Sequence, residues 1–114
     1  MPRKPTSSTL VDHAPAFAAL GDETRLRLVE RLCRTGPMSI CRLTANEPIT
    51  RQAISKHLRA LEAAGVVRSR RCGRESIWEL RPSRLAEIRL HLDEISSQWD
   101  RAIGRLRAMV EEGA

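Results

Sequence analysis

The chain has 114 residues, enough for one domain with a modest core, and its 41% hydrophobic and 30% charged content favours folding over disorder. No apolar run approaches the roughly 18–20 residues of a membrane span, so no membrane partner is expected. No apolar stretch follows the basic residues of the N-terminal MPRKPTSSTL either, so no signal peptide is expected and the cytosol is the default compartment.

Residues 1–9, rich in Pro, Ser, Thr and basic side chains, read as a flexible basic arm, with the domain proper over 10–114. Leu10 to Leu20 reads as a short helix with Val11, Ala14, Phe17 and Ala18 as its apolar residues, and Gly21 breaks it. Asp22 is a candidate N-cap for the next helix, in which Leu26, Val29, Leu32 and Cys33 recur at helical spacing until Gly36-Pro37 stops it. Ser39 can cap a short helix containing Ile40, Leu43 and Thr44, and Asn46-Glu47-Pro48 makes a turn.

The next stretch, TRQAISKHLRALEAAGVV, starts at Thr50, another good N-cap. Ile54, Leu58 and Leu61, with Ala64/Gly65, form a narrow apolar stripe, while Arg51, Gln52, Ser55, Lys56 and Arg59 lie on the other side. Two short helices joined by a tight turn, the second polar at its start, make a helix-turn-helix pattern. Val66–Arg71 and Glu75–Leu80 can then pair as strands around Cys72-Gly73-Arg74, with Val67, Trp78 and Leu80 facing the core. A basic hairpin behind a helix-turn-helix is a wing.

From 83 to 112 the chain reads as one long helix, opened by Pro82 or capped by Ser83. Leu85, Ile88, Leu92, Ile95, Trp99, Ala102, Leu106 and Met109 alternate at three and four residues, a seam with an average period of 3.5. Ile103 and Val110 widen it. A helix this long cannot be covered by so small a domain, and a symmetry mate is the economical partner, giving a two-fold homodimer.

Charge sharpens the picture. Of the net +6, residues 51–81 supply eight basic and three acidic side chains, whereas 82–114 carry five basic and six acidic ones. A concentrated positive field suits a polyanion, with nucleic acid first. With only Phe17, Trp78 and Trp99 aromatic, stacking of single-stranded bases has little support.

Three segments, LGDETRLRLVERL (Leu20–Leu32), AISKHLRALEAAGVV (Ala53–Val67) and RRCGRESIWEL (Arg70–Leu80), resemble the ArsR/SmtB family of winged helix-turn-helix repressors in order and spacing. The likeness spans roughly residues 14–110 and is nearest to the branch with no obvious metal site. It implies a mainly α fold: four helices, a small β-hairpin and a long fifth helix, dimeric, with the helix around Arg51–Ala64 entering the major groove of double-stranded DNA. It further implies repression from an inverted repeat near the protein's own promoter; such repressors often release the DNA when an effector binds, and the sequence does not say whether this one has an effector.

At the positions matching the family's DNA-facing residues, Arg51 can give two hydrogen bonds to guanine and Gln52 two to adenine. Ser55 can reach a base edge or a phosphate, Lys56 suits a phosphate, and Arg59 continues the basic face. Thr50 caps a helix N-terminus that itself favours a phosphate. His57, at the edge of the apolar stripe, reads as structural or phosphate-proximal rather than as a pH sensor. Arg70, Arg71 and Arg74 at the hairpin tip suit a wing laid on the DNA backbone or minor groove, and equally a charged edge that blocks aggregation.

The odd count of cysteines, Cys33, Cys41 and Cys72, with no CxxC or CxC spacing, argues against a disulfide framework and a sequence-local metal site. The family's arsenic-sensing members carry a CxC pair on the third helix, where this chain has Ser39-Ile40-Cys41. Cys33 and Cys41 therefore read as small apolar packing residues. A thiol-based metal or redox sensor is the alternative. The zinc-sensing members use acidic and His ligands on the last helix, where only His91 stands with Asp93, Glu94 and Asp100, and His91 and Asp93 do not share a face. No cofactor and no enzyme constellation is indicated: HExxH, a phosphate loop and a nucleophile elbow are all missing. A helical module binding an acidic protein partner is the remaining reading, and the basic hairpin fits it poorly.

Overall fold

A computed structural model describes residues 9–113. The expected arm lies outside the described residues except for Thr9. A 3-10 turn (Leu10–His13) leads into α1 (Ala14–Leu20), followed by α2 (Glu23–Thr35), β1 (Met38–Ser39), α3 (Ile40–Thr44) and α4 (Arg51–Ala63). The hairpin strands β2 (Val67–Cys72) and β3 (Glu75–Leu80) precede α5 (Pro82–Gly113). This is the mainly helical winged helix-turn-helix expected from the sequence, with one added strand: β1 pairs antiparallel with β3, Met38 opposite Trp78, so the sheet order is β1-β3-β2.

The caps fall where side-chain chemistry puts them. The Asp22 carboxylate accepts the Arg25 N–H at 3.1 Å, Ser39 Oγ that of Arg42 at 3.3 Å, and Thr50 Oγ1 that of Ala53 at 3.1 Å. α4 ends in a Schellman motif: the Val66 N–H bonds to the Leu61 carbonyl and the Gly65 N–H to that of Glu62, with Gly65 at φ +81°. A Cβ on Gly65 would come within 2.8 Å of the Arg84 guanidinium, which also donates to His13 Nδ1 at 3.3 Å. Arg84 thus pins the start of α5 to the end of α4 and to the N-terminal turn.

The core is built from Leu28, Leu43, Ile54, Leu58, Leu61, Val66 and Val67, all fully buried, with Leu32, Met38, Trp78 and Ile88 around them. The expected stripe of α4 and the inward Val67 and Trp78 are in place; Leu80 packs against the core partly buried. Two faces differ from expectation. The segment Leu10–Leu20 breaks into a 3-10 turn and a helix, and it buries His13, Ala16 and Ala19 while Val11 and Phe17 stay exposed. Small alanines let α1 approach its neighbours closely, which Phe17 would prevent. In α2 the buried positions are Leu28 and Leu32, whereas Leu26 and Cys33 are exposed, because the helix is rotated to turn Leu28 inward.

Among the described residues, α5 joins this hydrophobic core through Leu85 and Ile88 in its first two turns. Beyond them Leu92, Ile95, Trp99, Ile103, Leu106, Met109 and Val110 are exposed. At 32 residues the helix is about 48 Å long, and most of its apolar seam is left uncovered by the described residues. No helix among the described residues is long and apolar enough to cross a membrane.

Candidate nucleic-acid interface

α4 presents two chemically distinct sides. Ile54, Leu58 and Leu61 fix it to the core, and the opposite side carries Arg51, Gln52, Ser55, Lys56 and Arg59. Together with the capping Thr50, these five line one open surface depression. None of their side chains makes a hydrogen bond or ion pair with another described residue. The only acid of the helix, Glu62, sits in its last turn and accepts a bond from Ser69 Oγ at 3.2 Å. Three uncompensated cations, Arg51, Lys56 and Arg59, therefore lie within the first nine residues of α4, and Arg51 stands in the first turn, where the helix dipole is also positive.

His57 lies elsewhere. Its Nδ1 accepts from Arg25 Nε at 3.1 Å and stands 3.9 Å from Asp22 Oδ2, on the side of α4 turned toward α2. Arg25 Nη1 also reaches the Ala19 carbonyl at 3.4 Å, so one guanidinium ties α1, α2 and α4 together. The backbone N–H of Arg25 holds the Asp22 carboxyl below its ordinary pKa, against desolvation, with lesser electrostatic help from His57 and Arg25. Arg25 escaped the sequence reading because its partners lie on two other helices. The position of His57 at the edge of the stripe was the available signal.

The wing separates its arginines by face. Antiparallel register sets Arg68 opposite Glu79 and Arg70 opposite Ile77, on one face, with Ser69 and Arg71 on the other. Glu79 accepts from Arg68 Nε at 2.7 Å and from Arg70 Nε at 3.4 Å, and those bonds, Arg68 first, hold its carboxyl below its ordinary pKa. Arg70 is thus partly neutralised. Arg71 lies on the face from which Ser69 reaches α4, and Arg74 follows Gly73 in the turn, where φ is +67°. Neither Arg71 nor Arg74 has an intramolecular partner among the described residues.

Residues 22–69, which hold α2, α3, α4 and the start of the wing, match the model of the arsR family of bacterial regulatory proteins. The HTH-type transcriptional regulator Rv2034 of Mycobacterium tuberculosis is 39% identical over 88 residues, covering 77% of this chain and 78% of that protein. An ArsR-like transcriptional regulator from Rhodococcus sp. RHA1 superposes with a TM-score of 0.74 at 36% identity, covering 87% of this chain and 92% of that one. The chain belongs to the arsR family. A further relative, the arsenical resistance operon repressor of Bacillus subtilis, is 31% identical and covers 65% of this chain and 70% of its own length.

Within this family frame the cysteines take an unexpected place. Cys33, Cys41 and Cys72 are all free and exposed, which corrects the reading of Cys33 and Cys41 as packing residues. The rotation of α2 that buries Leu28 carries Cys33 outward, and in α3 Leu43 takes the buried position. Among the described residues no group of three or more His, Cys, Asp or Glu side chains is placed to hold a metal ion. His91, the one histidine of α5, packs its ring against that of buried His13, with centroids 5.2 Å apart.

Proposed function

We propose that this arsR-family regulator is a cytosolic repressor that acts by binding, not catalysis, and that it docks as a homodimer on an inverted-repeat operator in double-stranded DNA. The observation that carries this reading is the outer side of α4. Arg51, Gln52, Ser55, Lys56 and Arg59 are held in register by a capped helix, yet their side chains are satisfied by nothing among the described residues. Arg51 and Gln52 are the base-reading pair, with Ser55 beside them, while Thr50, Lys56 and Arg59 meet phosphates. Arg71 and Arg74 extend the contact to the backbone beside the groove, and Arg70 contributes less because Glu79 holds it. His57 acts through Arg25, as a positioning residue.

The exposed seam of α5 supports the two-fold assembly. Monomeric soluble proteins seldom expose a contiguous apolar patch beyond a few hundred Å². Leu92, Ile95, Trp99, Ala102, Leu106 and Met109 meet their counterparts in the second copy, while Leu85 and Ile88 also serve the protomer's own core.

Selection of bound duplexes from random sequence tests the reading. The expected product is a dyad-symmetric site whose affinity falls steeply with salt; recovery of no common sequence would overturn it. Trp99→Asp is expected to yield monomers in sedimentation and to weaken full-operator binding on the order of a hundredfold, the gain that linking two modules brings. Half-site affinity should stay the same.

A further inference from the structure

The turn between α3 and α4 contains a nearly buried acid. The Glu47 side chain is only 8% exposed, and its Oε1 accepts no hydrogen bond. Two arginines one helical turn apart on α2 converge on it: Arg31 Nη1 stands 3.4 Å from Oε2, and Arg27 Nη2 stands 3.8 Å from Oε1. The Arg31 guanidinium does more. Its Nη1 donates to the Leu43 carbonyl at 2.6 Å and its Nη2 to the Arg42 carbonyl at 3.0 Å, both at the C-terminal end of α3.

An ion pair placed this deep is a poor source of stability, because desolvation offsets most of the attraction. What a planar guanidinium supplies is direction: its donors leave in a fixed fork and accept little misalignment. α3 is five residues long, too short to hold its own axis. The turn after it contributes two backbone bonds, from the Ala45 N–H to Arg42 O at 3.3 Å and from the Glu47 N–H to Thr44 O at 3.2 Å. One side chain of α2 therefore satisfies the end carbonyls of α3 and grips the turn four residues before Arg51.

We propose that Arg31 and Glu47 are positioning residues for DNA recognition, a brace that sets the attitude at which α4 is presented. This rests on α4 being the DNA-contacting helix. Charge gives the proposal a sign that separates it from a bystander role. Glu47→Gln removes a negative charge near a polyanion, so without a positioning role it strengthens binding to every duplex alike.

The test uses the full chain, its selected operator and an unrelated duplex of equal length, with circular dichroism to verify folding. For Glu47→Gln the expected result is an operator affinity about tenfold lower, the size of coupling seen between contacting residues. Affinity for the unrelated duplex should stay level or rise. Arg31→Lys, which keeps the charge and loses the fork, should contract the same ratio with an unchanged salt slope. An unaltered ratio in both variants overturns the brace.

Amide hydrogen exchange on the free chain provides a second arm that needs no DNA. Arg31→Lys is expected to speed exchange at Glu47 and Ile54 while leaving the β2–β3 ladder as it was; uniform acceleration, or none, overturns the proposal. A wild-type chain with no operator preference sinks the DNA reading instead, and the exchange arm then decides the brace alone.

Discussion

α2 and α4 are built alike and used differently. Each is thirteen residues long, and each is capped by a side-chain oxygen 3.1 Å from a first-turn N–H. Both are rich in cationic side chains. In α2 all four arginines are engaged: Arg25 with His57 and Ala19, Arg27 with Glu23, Arg31 with α3 and Glu47, and Arg34 with Glu30 at 3.3 Å. In α4, Arg51, Lys56 and Arg59 have no partner among the described residues. Arginine count says little about nucleic-acid contact; what separates the two helices is whether the protein has already spent the donors. α2 uses its guanidiniums as braces, and α4 leaves its own unengaged by the described residues.

Removing the donors from each helix in turn separates the two uses. Arg51→Ala with Gln52→Ala deletes two side chains able to bond bidentately to bases, each worth about 1–3 kcal/mol of discrimination. Operator affinity should fall at least about thirtyfold in a fluorescence titration. Unfolding free energy should move by no more than about 0.5 kcal/mol, because no described residue bonds to those exposed side chains. Equal losses of stability and binding would erase the distinction between the helices.

Arg25→Ala is the counterpart in α2. It removes the bonds to His57 and to the Ala19 carbonyl; hydrogen bonds to charged groups contribute about 1.5–3 kcal/mol, and less where solvent screens them. Urea denaturation should show a loss of roughly 1–2 kcal/mol. The salt slope of DNA binding should be unchanged, since no phosphate contact is lost. A shallower slope would mean that Arg25 itself meets DNA.

The difference between these helices was only half legible in the sequence. α4 could be read because its information is local: Thr50, the Ile54–Leu58–Leu61 stripe and the basic residues between them lie within twelve positions. The engagement of α2 is not local. Arg25 finds His57 32 residues away, and Glu47 meets Arg27 and Arg31 of another helix, 20 and 16 residues earlier in the chain. β1 has two residues, too few to show an alternation, and its partner β3 lies some forty positions further on. In α1 alanines occupy both faces, so periodicity could not decide which one turns inward. The pairing of Arg70 with Glu79 needed the strand register, which no pattern within β2 alone reveals.

The wing offers a case between the two helices, since Glu79 engages Arg68 and Arg70 but leaves them 59% and 53% exposed. Glu79→Gln should release both and convert part of the wing from the α2 pattern to the α4 pattern. Affinity for any duplex should rise a few-fold, and the salt slope should steepen by up to about 1 per new phosphate contact. Operator preference should not change, because phosphate contacts carry no sequence information. A gain confined to the operator would assign these arginines to base reading.

The smallest expected effect concerns the two caps. Asp22 is ionisable and Thr50 is not, so only α2 has a start that depends on pH. The folded-state pKa of Asp22 is lowered, chiefly by the Arg25 backbone N–H. A carboxylate with a depressed folded pKa contributes stability that is present above its unfolded value of about 4 and is lost as pH falls through the folded value. Asn caps about as well as Asp. Asp22→Asn should therefore leave the melting temperature at neutral pH nearly unchanged and flatten its decline below about pH 4. Thr50→Ser, the matching change in α4, should leave that acid limb as it is in the wild type, because no proton is bound or released there. An acid limb that Asp22→Asn leaves intact would move the titrating group elsewhere, with Glu79, the other carboxyl held below its ordinary value, as the next to replace.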